Sequence, residues 1–200
     1  LGVSDVSYSH CKDNPIYGTG QGSSCSPPIW GLISDKLFKV HAVGGNGASF
    51  VSPDATVSAR VGAVGFVDDT TEAINDFTND SANPMMMVDK ATKDAQRWND
   101  LLAITGGALE IPKCKFHLAS YKFAASGAPV LDPLNDAING SCPKIDIQPA
   151  FVESESQSLE YLQPSTARRT LGCYKCPSGN SKTGLRAIRK NAIEESDCSK

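Results

Sequence analysis

No apolar run in these 200 residues approaches the roughly 20 residues that cross a bilayer. No membrane partner is therefore expected. The first residues lack a basic segment followed by a long apolar stretch, so no secretory signal is expected either. Neither sign of charge dominates: 19 basic against 22 acidic residues leave a net charge of −3. That balance argues against a self-sufficient electrostatic grip on nucleic acid, but not against a portion of a nucleic-acid enzyme. The phosphate-binding signatures are also missing. Gly18, Gly20 and Gly22 sit two apart, without G-x-G-x-x-G spacing, and no Gly-Lys-Ser/Thr follows them. With no nucleophile elbow present, a small α/β hydrolase or phosphotransferase has no motif in its favour. Cysteines number seven, an odd count at irregular spacing, with one C-x-x-C at Cys173 and Cys176. A structural zinc site needs about four ligands, and no second pair supplies them. Free, reduced thiols are the expectation, and with them an intracellular setting, cytoplasmic or nuclear.

What is present is a soluble composition, 40% hydrophobic, long enough to bury a real core in one or two domains. The chain is organised around 60–77, RVGAVGFVDDTTEAINDF. Val61, Ala63, Val64, Phe66 and Val67 read as a buried strand, Asp68 and Asp69 interrupt it, and Thr70 and Thr71 resume a β-friendly run. The pattern predicts a β-hairpin with an acidic tip. Adjacent carboxylates repel one another, and a fold holds them together either at a solvated turn or where a hard cation such as Mg²⁺ neutralises them.

Upstream, Ser26 is a candidate helix cap and Pro27 or Pro28 suits the first turn of a helix over 28–40. Its apolar side holds Leu32, Ile33 and Leu37. The Gly-, Ser- and Pro-rich stretch 41–58 reads as a long connection with a short strand at 48–51, and His41 as a helix-end residue. A second helix is predicted over 84–104, with Met87, Ala91, Ala95, Trp98, Leu101 and Leu102 at helical spacing. Lys90, Lys93, Asp94, Arg97 and Asp100 are expected on its solvated side, and Gly106 and Gly107 to end it. Leu109, Ile111, Phe116, Leu118, Tyr121 and Phe123 suggest strands beyond.

Gly20, Gln21, Gly22 and Ser23, then Ser26 and Pro27, precede an apolar helix, and Phe66, Val67, Asp68 and Asp69 follow at a hairpin tip. This ordered pair resembles the palm of a reverse transcriptase, the RNA-directed DNA polymerase of retroelements of the non-LTR kind. The resemblance covers roughly 15–180 and implies an α+β fold: a partial polymerase palm, an antiparallel sheet with a catalytic hairpin and helices packed on one face. It implies catalytic and metal-binding roles for Asp68 and Asp69, with Mg²⁺ or Mn²⁺ as cofactor. Gly20, Gln21, Gly22, Ser23 and Phe66 would line the nucleotide site. In GGALEIPKCKFHL, Lys113 matches the family's triphosphate- or pyrophosphate-facing lysine. Partners would be an RNA or DNA template with its primer, and deoxynucleotides.

The division implied is a partial palm over 1–123, a linker and irregular region over 124–165, and a palm exit or start of a thumb over 166–200. Arg168 to Gly172 and Pro177 to Asn180 read as the strand and turn of that exit, and 182–190 as a basic helix start. One departure matters. The family carries a further aspartate on a strand well upstream of the glutamine–glycine loop, and only 19 residues precede Gly20. A fragment inactive in isolation is therefore expected. The alternative is a non-catalytic remnant of the palm that serves as a binding or structural module.

Overall fold

The structure is a computed structural model that describes residues 24–66, 69–76, 83–132, 142–150, 155–170, 173–179 and 185. Helix α1 spans Ser26–Gly44. Ser26 is its first helical residue and not the cap, and Cys25 occupies the cap position, its side chain not capping the helix. The reason lies in the two prolines. A cap side chain accepts from the second or third helical N–H, and here those positions are Pro27 and Pro28, which have none. The next N–H, that of Ile29, donates to the Cys25 carbonyl at 3.2 Å and so closes the first turn on the cap residue. At its other end α1 continues past the expected limit to Gly44, and the Gly45 N–H closes on the His41 carbonyl at 2.8 Å.

Two hairpins follow. Strands β1 (Ala48–Val51) and β2 (Ser58–Val61) pair antiparallel. Asp54 holds the turn between them, accepting from the Ser52 hydroxyl at 2.6 Å and from the Thr56 hydroxyl at 2.9 Å. After Gly62, β3 (Ala63–Phe66) pairs antiparallel with β4 (Asp69–Glu72), with Phe66 opposite Asp69. The run read as one strand over 61–67 therefore divides at Gly62, where the pairing partner changes from β1 to β4.

Helix α2 spans Pro84–Ile104, the bounds its pattern predicts. Asn83 caps it by accepting from the Met85 N–H at 2.9 Å. It ends in paired bonds from Gly106 N to the Ala103 carbonyl and from Gly107 N to the Leu102 carbonyl, with Gly106 at φ 80°. That left-handed residue is why a glycine stands there. A 3-10 turn at Ile111–Lys113 leads to β5 (Lys115–His117), β6 (Ser120–Phe123), β7 (Pro129–Asp132), β8 (Asp146–Ile147), β9 (Gln157–Ser158), β10 (Glu160–Leu162), β11 (Arg168–Thr170) and β12 (Cys173–Lys175).

The α+β expectation holds at this coarse level. The single antiparallel sheet does not: among the described residues the strands pair as six two-stranded units, and one of them, β5 with β10, is parallel. The stretch 124–165, expected as linker and irregular chain, supplies β7 to β10 and two of the most buried side chains. Ile145 and Ile147 form the core with Val88 of α2 and Ile111, flanked by Ala91, Ala95, Leu109, Phe116, Leu118 and Leu159. Burial of four such aliphatic side chains contributes about 1.5–3 kcal/mol each. It anchors α2, and α2 carries the second contact zone, where Trp98 stacks on Phe38 of α1 at 5.0 Å between ring centres. The basic stretch 182–190 lies outside the described residues except for Leu185, which is exposed.

Candidate functional site

The β3–β4 hairpin faces two ways. Residues opposite one another in an antiparallel pair share a face, and alternate residues along each strand change face. The register therefore puts Ala63, Gly65, Thr70 and Glu72 on one side and Val64, Phe66, Asp69 and Thr71 on the other. The first side meets the helices: a Cβ at Gly65 would lie 2.4 Å from the Phe38 ring, and Glu72 reaches His41. The second side is open, with Val64 62% and Phe66 60% exposed. Val64 and Phe66, expected in a buried strand, are thus surface residues, because the face turned to the helices is the small and polar one.

Asp69 begins β4 and is exposed on the same face as Phe66. Asp68 lies outside the described residues, as do Gly20, Gln21, Gly22 and Ser23. Of the expected nucleotide and metal residues, then, the structure brings together Phe66 and Asp69. Lys113 ends the 3-10 turn and is exposed, and its carbonyl accepts from the Arg168 guanidinium at 3.2 Å. Next to it, burial pushes the Cys114 thiol up, with Arg168 opposing and Glu110 and Glu72 reinforcing. No group of three His, Cys, Asp or Glu side chains that could hold a metal ion gathers among the described residues. Asp69 alone offers one exposed carboxylate, so the described residues do not by themselves make a Mg²⁺ or Mn²⁺ site.

Behind the hairpin lies a polar cluster that the sequence does not announce. Asp94 of α2 is 2% exposed, although its charge suggests the solvated side of the helix. Its carboxylate accepts from the Asn46 backbone N–H at 2.8 and 3.1 Å and from the Asn46 side-chain amide at 2.8 Å. The signal was its position, three residues after Ala91 and four before Trp98, on the helix's inward stripe. His41, in the last turn of α1, is 1% exposed. Its Nε2 lies 3.3 Å from the Asp94 carbonyl and 3.2 Å from Glu72 Oε1. Nε2 thus faces a backbone carbonyl and a carboxylate oxygen together. Trp98 meets the imidazole edge-on, 5.5 Å between centres.

Two arginines complete the cluster at the C-terminus of α1. Arg97 lies over Gly44, where a Cβ would come 2.4 Å from its guanidinium carbon. Arg60 donates to the Gly45 and Asn46 carbonyls. Cations at this end complement the helix dipole. Glycine at Gly44 is what lets Arg97 approach so closely.

Among the described residues, Cys114, Cys142 and Cys176 form no disulfide. Cys176 donates to the Pro164 carbonyl at 3.2 Å. No described helix is long and apolar enough to cross a membrane. Comparison of the chain with protein-family models, curated proteins and solved structures gives no match.

Proposed function

We propose that the chain is a partial palm of an RNA-directed DNA polymerase of the reverse-transcriptase type, inactive in isolation. The observation that carries the reading is the tight β3–β4 hairpin. Phe66 pairs with Asp69 across residues 67–68, so the aromatic-x-Asp-Asp run spans a two-residue connection. Helix α1, opened at Pro27 and Pro28 directly after the glycine–glutamine segment, supports it in order. In this reading Asp68 and Asp69 would hold Mg²⁺ or Mn²⁺ once further oxygen ligands join them. The ions would supply charge neutralisation for nucleotidyl transfer to a primer 3′-hydroxyl. Gly20, Gln21, Gly22, Ser23 and Phe66 would flank the incoming deoxynucleotide, and Lys113 would face its triphosphate. The hairpin β11–β12 would lead out of the palm.

Primer extension on an RNA template with Mg²⁺ and deoxynucleotides tests this. The assay compares the 200-residue chain, a longer chain from the same open frame that includes an upstream acidic strand, and the Asp68→Asn form of the longer chain. Extension is expected from the longer chain alone. Its loss in the Asp68→Asn form should exceed about a hundredfold, since removing a metal-ligand charge costs several kcal/mol of barrier stabilisation. Full activity of the Asp68→Asn form would overturn the assignment of the acid. Template–primer binding without extension by the longer chain would favour the non-catalytic module.

A further inference from the structure

Strand β4 carries Asp69 at one end and Glu72 at the other. Glu72 is the charged tie between the hairpin's inner face and the helices, through Oε1 at 3.2 Å from His41 Nε2. The other ties on that face are weaker: Gly65 against the Phe38 ring, and the small side chains of Ala63 and Thr70. Val64, Phe66 and Thr71 give no anchorage, since they face outward. Downstream of β4 the chain is held independently. Asn75 exchanges two hydrogen bonds with Ser49 of β1, at 2.8 and 2.9 Å, and Asp76 pairs with Lys90 of α2 at 3.0 Å.

The groups around the His41 ring decide its proton. Both atoms facing Nε2 are acceptors, the Asp94 carbonyl from α2 and Glu72 Oε1 from β4, so Nε2 must carry a hydrogen. Nδ1 is buried without a hydrogen-bond partner, and it lies beside Gly45 and Gly62. The Asp94 carboxylate adds negative charge from α2. Opposing it are Arg97 of α2 over Gly44 and Arg60 of β2 on the Gly45 and Asn46 carbonyls.

We propose that His41 and Glu72 form a proton-operated clasp that sets how firmly the β3–β4 hairpin is held to the α1–α2 junction. The clasp is closed while His41 is an imidazolium and loosens when the ring becomes neutral. It stands whether or not the hairpin serves a polymerase, because it concerns only the hairpin's mooring. The Glu72 carboxylate beside it raises the His41 pKa above its ordinary value, and burial opposes the rise without cancelling it. The sign follows. The stabilisation is fully present below the ordinary value of about 6.5 and is lost as pH climbs through the higher folded value. Hairpin opening should grow by up to about tenfold for each unit separating the two values.

Amide hydrogen exchange in β3 and β4 tests the clasp, measured across pH 5.5 to 8.5 and corrected for intrinsic exchange. It is paired with an NMR titration of the His41 imidazole in a His10→Gln, His117→Gln background. In the wild type, protection of the hairpin should fall as His41 titrates while protection in the middle of α2 holds. Glu72→Gln should flatten that dependence and return the imidazole toward its ordinary value. A pH-independent hairpin in the wild type, the same fall in Glu72→Gln, or an imidazole titrating at or below its ordinary value would overturn the clasp. Where the variant does not fold, the wild-type exchange and titration decide the matter between them. Neither readout involves primer extension, so a failed polymerase reading leaves the result intact.

Discussion

Replacing Asp94 by Ala should cost far more than a surface charge is worth. The carboxylate is buried and receives three hydrogen bonds from two groups of Asn46. Removing it strands the Asn46 backbone N–H, at about 1–3 kcal/mol, and leaves the Asn46 side-chain amide with only the Lys90 carbonyl at 3.3 Å. It also leaves His41, Arg60 and Arg97 gathered with less opposing charge, and breaking one partner out of a buried charged set costs about 3–5 kcal/mol. These overlap and do not add, so the expected loss is about 3–5 kcal/mol. At roughly 2–4 °C per kcal/mol for a chain of this length, Tm should fall by about 10 °C. The control is Lys93→Ala, one residue away and exposed, where a surface change stays within about 0.5 kcal/mol. Asp94→Asn should fall between the two, because an amide keeps one acceptor but turns a donor toward Asn46. The assay is thermal and urea unfolding followed by far-ultraviolet circular dichroism at pH 7, with equal urea slopes confirming a like unfolding reaction. Asp94→Ala melting within about 1 °C of Lys93→Ala would refute the buried-acceptor account.

Two further outcomes follow from the hairpin. Gly65→Ala should destabilise by about 1–3 kcal/mol despite the better strand propensity of Ala, because its Cβ would meet the Phe38 ring at 2.4 Å. In a Trp30→Phe background it should shift Trp98 emission as the Phe38 stack is displaced, and unchanged emission with unchanged stability would show that the ring yields freely. Mn²⁺ should broaden the Thr70 and Thr71 amides with an affinity no tighter than about 1 mM, as a site with few carboxylates allows. The effect should vanish in an Asp68→Asn, Asp69→Asn double variant. Broadening that persists there, or centres on Asp54, would remove the hairpin as the cation's site.

Part of this was legible in the sequence. Helix α2 has a proline at its start, two glycines at its stop and an unbroken apolar spacing between, so local signals agreed and its bounds were found. The β3–β4 pairing was legible because acids interrupt a β-friendly run, although Asp69 stands as the first residue of β4 and Asp68 lies outside the described residues. Other features depend on what lies across space. Ile145 and Ile147 alternate with Lys144, Asp146 and Gln148 in period two, yet the surrounding Gly, Pro, Asn and Asp make the segment read as loop. The parallel pairing of β5 with β10 has no local marker, since nothing near Phe116 names Tyr161 as its partner. Asp94 was misplaced because a charged residue on a helix is solvated far more often than buried. Only the Asn46 donors, supplied by another segment, reverse that.

The hairpin's faces run opposite to the usual sense of its sequence pattern. A strand with apolar residues is ordinarily taken to turn them inward, and here Val64 and Phe66 turn out. What lies beneath the hairpin is the His41–Asp94 cluster, so the inner positions suit Thr70 and Glu72, and a glycine at 65 where the Phe38 ring crowds the strand. Polar residues go in because polar groups await them, and the apolar ones are left outside together with Asp69. Any ligand or partner of the hairpin therefore meets an apolar face bearing a carboxylate, while the His41 proton acts from the opposite face through Glu72. The two are joined by a ladder of four residue pairs, Phe66 with Asp69 at one end and Ala63 with Glu72 at the other.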